Sequence, residues 1–474
     1  SVIFRANFWM LSETDALPNY LITASDLQAK VIVSTQTIID KDSGLEILPF
    51  VVPFTDETTQ FKRSSNDKTK WLTSETLFHR NVNGVDNKVA SDLLVTQAII
   101  PTPKSVRFDD NNTTVDVSEG LNVDFTNVTE SAVSAAFEHL KNLGLKQAEN
   151  GLPVTLHINS DNTKAIGSYK LYVTNKGINI VGVDGNGVFN GLQSLASLYT
   201  IGKQTLPIVE VDDEPHYAFR GMLVDVARNF HSKEFILTLL DQMAAYKLNK
   251  LHLHLGDDEG WRLEIPSLPE LTDIGAKRCF DITEENCLIT QLGSGVDGTT
   301  TVSGYYSVSD YSEILKAATA RHIQVIPSLD MPGHSRAAVK AMTARYKKYQ
   351  AREDEVKAKQ FILDDFEDST EYLSVQFYND NTINVCLESS YDFVVEVMTQ
   401  VKKIHADAGQ PLTRYHIGAD ETAGAWVDSP VCKALIADKT NNFSDSKHLG
   451  AHFIERVSHM VVSKGIAVGG WNDG

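Results

Sequence analysis

The chain has 474 residues, 43 Lys+Arg against 62 Asp+Glu and a formal net charge of −19. At roughly 100–200 residues per domain that length predicts a multidomain protein, and 42% hydrophobic with 22% charged residues excludes a disordered or collagen-like chain. The acidic balance argues against nucleic acid and anionic lipid as partners, which need clustered Lys and Arg. No run approaches the roughly 20 apolar residues of a membrane helix.

Residues 1 to about 85 carry β-branched and aromatic runs between polar turns, such as Lys30-Val-Ile-Val-Ser-Thr-Gln-Thr-Ile-Ile39 and Pro49-Phe-Val-Val-Pro-Phe54. They predict an N-terminal β-sandwich-like module. Residues 86–212 mix strands (Val154–Ile158, Tyr169–Val173, Ile178–Val181) with helices around Ser131–Leu143 and after Gly187, which predicts an α+β domain. From residue 213 to 474 the pattern alternates. Strands are predicted at Gly221–Val226, Lys250–Leu255, Ile323–Leu329, Arg414–Ile417 and Ile466–Gly470, with helices such as Ser309–His322 and Tyr391–Ala408 between them. Ser232 is placed to cap a helix whose Phe235, Ile236, Leu239, Leu240 and Met243 share a face. Apolar strands alternating with helices fit either a (β/α)8 TIM-type barrel or an open doubly wound sheet. The absence of a G-x-G-x-x-G or P-loop signature favours the barrel. Only about five of its eight strands are in this sequence, so residues 1–474 alone are expected to be unstable or inactive.

The predicted strands carry a biased set of residues at their carboxyl ends, where barrel chemistry sits. They are Asp225 and Arg228; Asp257, Asp258, Glu259, Trp261 and Arg262; Asp330 and His334; Asp420 and Glu421; and Trp471, Asn472 and Asp473. Carboxylates that bind hydroxyls, set among flat rings that cover pyranose faces, suit a sugar. Any one of these aspartates is as well explained as a helix cap or loop ion pair; their convergence on one rim is not. Asp420-Glu421 is the sharpest element. Adjacent side chains in a strand point to opposite faces, so both reach one pocket only if the strand is ending there. Two such neighbours would serve one side of a sugar rather than flank it across the roughly 5–9.5 Å of ordinary glycosidases, which suggests that the nucleophile comes from elsewhere. His252 and His254, alternating with leucines, point inward. They read as hydrogen-bonded interior residues, or alternatively as an H-x-H metal pair of a metal-dependent hydrolase. A non-catalytic sugar-binding protein is the third class. The four cysteines (279, 287, 386, 432) form no C-x-x-C pair. Cys279 and Cys287 suit a loop disulfide, and the even count permits two bridges.

The stretches Arg220-Gly-Met-Leu-Val-Asp-Val-Ala-Arg228, His252-Leu-His-Leu-Gly-Asp-Asp258, Met331-Pro-Gly-His334 and His416-Ile-Gly-Ala-Asp-Glu421 resemble glycoside hydrolase family 20. The runs Asp257–Ile265 and Cys279–Cys287 are similar to its bacterial chitobiase (β-N-acetylhexosaminidase) branch. The resemblance covers essentially the whole chain, including a carbohydrate-binding-like N-terminal domain and an α+β domain before the barrel. It implies an exo-acting, retaining enzyme that releases terminal N-acetylglucosamine from chitobiose and chitooligosaccharides. Catalysis would be substrate-assisted, the acetamido oxygen attacking the anomeric carbon to give an oxazolinium intermediate. By the same resemblance Glu421 is the general acid and base, and Asp420 orients and stabilises the acetamido group. Arg228 donates to ring hydroxyls, Trp471 lines the pocket, His334 tunes the acid, and Asp257 and Asp258 support the site. No metal, cofactor or obligate protein partner is implied. The disulfide and the substrate suggest a periplasmic or secreted protein.

Overall fold

A computed structural model of the chain describes residues 98–472 apart from 112, 126, 200–201, 292–293, 423 and 439–444, together with four two-residue strands nearer the N-terminus. Those strands form two antiparallel pairs, Leu21–Ile22 with Lys30–Val31 and Ile38–Ile39 with Glu46–Ile47. The predicted sandwich itself lies outside the described residues.

The second region is α+β. Its six-stranded sheet runs, by position, Ser105–Phe108, Val209–Asp213, Tyr169–Thr174, Gly177–Gly182, Leu152–Ile158 and Leu121–Asp124. The first three pairings are antiparallel and the last two parallel. Period-2 burial along Tyr169–Thr174 sends Leu171 and Val173 inward, where they share a core with Val188, Leu192 and Leu195 of the helix Gly185–Leu198. Asp184 caps that helix by accepting from the Gly187 N–H at 2.7 Å.

The third region is built on five parallel strands: β1 (Gly221–Asp225), β2 (Lys250–Asp257), β3 (Gln324–Met331), β4 (Arg414–Gly418) and β5 (Ala467–Gly469). They lie side by side in sequence order without the reversal that defines a doubly wound sheet. This is the strand order of a barrel, here open: among the described residues β1 and β5 are each paired on one side only. On β1, Met222 and Leu223 are correspondingly exposed. Five helices cover the sheet: α1 (Lys233–Ala245), α2 (Val308–Ala320), α3 (Arg336–Gln350), α4 (Glu388–Asp407) and α5 (Leu449–Ser463). Ser232 caps α1 as expected, its Oγ accepting from the Phe235 N–H. The apolar face of α1 is narrower than its sequence suggests. Ile236, Leu240 and Met243 are buried, whereas Phe235 is exposed and stacks on His231 at 4.5 Å. No helix among the described residues is long and apolar enough to cross a membrane. Both permitted disulfides form, Cys279–Cys287 and Cys386–Cys432.

Candidate active site

The carboxyl ends of β1 to β5 deliver the site. β4 ends in a sharp bend: Gly418, Ala419 and Glu421 all have left-handed backbone, with φ of 73°, 72° and 40°. Such conformations are strained for the two non-glycine residues and persist only where the surroundings impose them. Here the bend aims two successive side chains at one imidazole. His334 Nε2 lies 3.1 Å from Glu421 Oε2 and 3.7 Å from Asp420 Oδ2. The approach is tight, because a Cβ on Gly333 would fall 2.5 Å from the Asp420 carbonyl oxygen.

His334, itself at φ 50°, is buried. Its Nδ1 lies 3.1 Å from Asp258 Oδ2 and 3.5 Å from Asp257 Oδ1. Burial alone would push the imidazole toward its neutral form. The hydrogen bonds and charges of Asp257 and Asp258 outweigh that and raise its pKa to about 11. Asp258, fully buried, also accepts from the Arg336 backbone N–H at 3.0 Å and the Asn381 side-chain amide at 3.0 Å. Asp257 opposes burial with a hydrogen bond from His254 (2.8 Å) and the nearby Arg228 (Nη2 at 2.9 Å), which hold its carboxyl well below the usual range. Asp258, His334 and Glu421 thus form one continuous line of hydrogen bonds from the buried end of β2 to the partly exposed loop after β4.

Asp420 differs from its neighbour. Burial raises its pKa, and Oδ1 is buried with no hydrogen-bond partner. Arg228 stands at the end of β1, half-exposed, with Nη1 2.7 Å from Asp225 and Nη2 on Asp257. Trp471 follows β5. It is 37% exposed and stacks on His252 with ring centroids 5.6 Å apart. Buried Asp330 and partly buried Glu259 are raised to about 7, chiefly by desolvation.

Three groups of side chains place ligand atoms within 4.8 Å of one another: His254–Asp257–Asp330, Asp257–Asp258–His334 and His334–Asp420–Glu421. In each, a guanidinium or imidazolium already sits against the carboxylates. The H-x-H pair divides: His254 is bound by Ser328 Oγ (3.0 Å) and Asp257, while His252 belongs to none of these groups and packs against His416 and Trp471.

A sequence model described as "Glycosyl hydrolase family 20, catalytic domain" matches residues 217–474, and the family's "domain 2" matches 96–214. The chain belongs to glycosyl hydrolase family 20. A carbohydrate-binding-like domain model matches residues 1–75. The beta-hexosaminidase of Vibrio vulnificus is 45% identical over 473 residues, covering 99% of this chain and 55% of that protein. The N,N'-diacetylchitobiase of Vibrio harveyi is 39% identical over 503 residues, covering 98% and 55%. The chain therefore spans about half the length of these curated relatives. Among solved structures, a family 20 exo β-N-acetylglucosaminidase of Vibrio harveyi in complex with N-acetylglucosamine superposes with a TM-score of 0.67 at 32% identity, covering 79% of this chain and 55% of that one.

At these strand ends the structure brings Asp420, Glu421, His334, Asp257, Asp258 and Arg228 into one network, with Trp471 beside it on the His252–His416 layer. Two residues assigned to the rim by sequence are elsewhere. Trp261 is buried in the core, its indole N–H donating to the Leu263 carbonyl at 2.7 Å. Arg262 is buried too, donating to the carbonyls of Val226, Ala227, Ala276 and Gly304 and thereby bracing the loop that carries Arg228. Asp473 lies outside the described residues. Four residues without a sequence signal join the site: Gln376, whose amide is 3.4 Å from Glu421 Oε2; Tyr378, whose hydroxyl is 3.3 Å from Glu259; Asn381; and Arg336.

Proposed function

We propose that the whole protein is an exo-acting, retaining β-N-acetylhexosaminidase that releases terminal N-acetylglucosamine from chitobiose and short chitooligosaccharides. The observation that carries this is the unlike pairing of two adjacent carboxyls. Glu421 is reachable from solvent and bound to the His334 cation; Asp420 is more enclosed and keeps one oxygen free of any donor. Glu421, entering the step as the protonated acid, gives its proton to the glycosidic oxygen, and the imidazolium stabilises the carboxylate left behind. The free Asp420 oxygen accepts the acetamido N–H, turning the acetamido oxygen onto the anomeric carbon and stabilising the positive charge of the oxazolinium. Water, deprotonated by Glu421, opens the intermediate with net retention. Arg228 binds the ring hydroxyls through charge-assisted hydrogen bonds, and Trp471 covers one sugar face. Asp257 and Asp258 act from below through Arg228 and His334 rather than on the sugar.

The same reading assigns residues 1–85 to the carbohydrate-binding-like module, 86–212 to the α+β domain and 213–474 to a (β/α)8 barrel completed outside this sequence. The single-sided pairing of β1 and β5 and the 55% coverage of the relatives support that completion. The two disulfides and chitooligosaccharide substrates met outside the cytoplasm support a periplasmic or secreted location. The test is release of free N-acetylglucosamine from chitobiose by the full-length protein, with Glu421→Gln as the blank. Binding without release would reject the proposal. The same assay on residues 1–474 checks the expectation that this portion alone is inactive.

A further inference from the structure

Arg336 is the first residue of α3 and lies two positions after His334. A cation at a helix N-terminus opposes the helix dipole, and a buried one must also be paired to be tolerated. Arg336 is buried, and both edges of its guanidinium are filled. Nη1 and Nη2 meet the two Glu284 oxygens at 2.8 and 2.6 Å, while Nε and Nη2 meet those of Asp380 at 2.8 and 3.1 Å. The Tyr378 ring lies 5.4 Å away. Three segments far apart in sequence meet here: the loop closed by Cys279–Cys287, the start of α3, and the stretch leading to Asn381. Two of them supply donors to one carboxylate. The Arg336 backbone N–H and the Asn381 side-chain amide each bind Asp258 at 3.0 Å, and the Ser335 N–H binds the Asn381 carbonyl at 2.8 Å.

We propose that Arg336 is a positioning residue for the reaction: its fork to Glu284 and Asp380 fixes the two donors that hold Asp258 against His334, and so sets how firmly His334 supports Glu421. The inference deepens the functional reading above and rests on Glu421 being the proton donor. Lys340 also reaches both carboxylates, its Nζ 2.7 Å from Asp380 and 3.8 Å from Glu284, but as a point charge; only the planar Arg336 guanidinium holds each of them through two hydrogen bonds. His334 is faced by Asp257 and Asp258 from the end of β2, Asp330 from β3, and Asp420 and Glu421 from the loop after β4. Of these, Asp258 takes its hydrogen bonds directly from the clamped residues Arg336 and Asn381, and Glu421 meets the same stretch only through the longer 3.4 Å contact of Gln376.

The experiment uses the full-length protein and the variants Arg336→Lys and Glu284→Gln. One readout is the histidine NMR titration, with the His334 signal assigned by His334→Asn; the other is turnover of p-nitrophenyl N-acetylglucosaminide. In both variants the His334 titration midpoint is expected to fall by a unit or more, kcat to fall about tenfold or more, and KM to stay within about twofold. In an Asp258→Asn background, Arg336→Lys should remove little further kcat, because the residue it acts through is already gone. A lowered melting temperature with an unmoved His334 titration would overturn the proposal, as would fully additive losses. If Arg336→Lys fails to fold, Glu284→Gln and Asp380→Asn take its place, with the same shifts expected and the same two results overturning the proposal. If the wild type turns over no substrate while His334 still shifts, the functional reading falls and the clamp on Asp258 stands.

Discussion

Gly333 packs directly against the bend after β4 that carries Asp420 and Glu421, and replacing it with alanine tests whether that closeness matters. The added Cβ would sit 2.5 Å from the Asp420 carbonyl oxygen and 3.0 Å from that of Glu421. Ordinary carbon–oxygen contacts of about 3.3 Å or more would require the bend to move away by roughly 0.8 Å, since backbone has no rotamer with which to yield. Overpacking of this size typically costs about 1–3 kcal/mol of stability. A displacement near 1 Å at a catalytic group can cost about a hundredfold in rate. Gly333→Ala should therefore remain folded, with a melting temperature a few degrees lower, while kcat on p-nitrophenyl N-acetylglucosaminide falls by one to two orders of magnitude. Turnover within twofold of wild type would refute the claim that the placement of Asp420 and Glu421 is set by this contact.

Glu421→Gln should lose about 10²–10⁴-fold in kcat, the range of a general acid, and Asp420→Asn should lose turnover with only a modest change in substrate affinity, read from inhibition by N-acetylglucosamine. Burial raises Asp330 and Glu259 to about 7, so the native state holds their protons above the ordinary carboxylate range. Their contribution to stability is full below about pH 4 and is lost as pH rises through 7; Asp330→Asn should flatten that part of a melting-temperature profile. The Cys386–Cys432 bridge closes a 46-residue separation, for which chain entropy gives about 4 kcal/mol. Replacing both cysteines with alanine should lower the denaturation midpoint accordingly, and an unchanged midpoint would show that the bridge adds nothing.

The five parallel strands and the helices α1, α2 and α4 were legible because each strand is a short apolar run and each of these helices repeats on one face. The left-handed exit from β4 was foreshadowed by the tandem Asp420-Glu421, which a continuing strand could not accommodate. Side-chain direction after a strand end was not legible. Trp261 and Arg262 follow Asp257-Asp258-Glu259 directly, yet the short pairing of Gly260–Trp261 back onto β2 turns both into the core. Phe235 matched the apolar period of α1 but lies at the solvent edge of that face, where it stacks on His231 instead of entering the core. Gln376, Tyr378 and Asn381 were invisible because their segment has no periodicity. Their partners, Glu421, Glu259 and Asp258, are set only when β2, β3 and β4 come together.

A sugar that supplies its own attacking oxygen is the centre of this mechanism, and one comparison addresses it directly: kcat/KM of the full-length protein on p-nitrophenyl N-acetylglucosaminide and on p-nitrophenyl glucoside, which lacks the acetamido group. The arrangement of Asp420 and Glu421 predicts a preference of at least about a thousandfold for the first, since well-oriented intramolecular groups are worth several kcal/mol. Comparable rates on the two would contradict it.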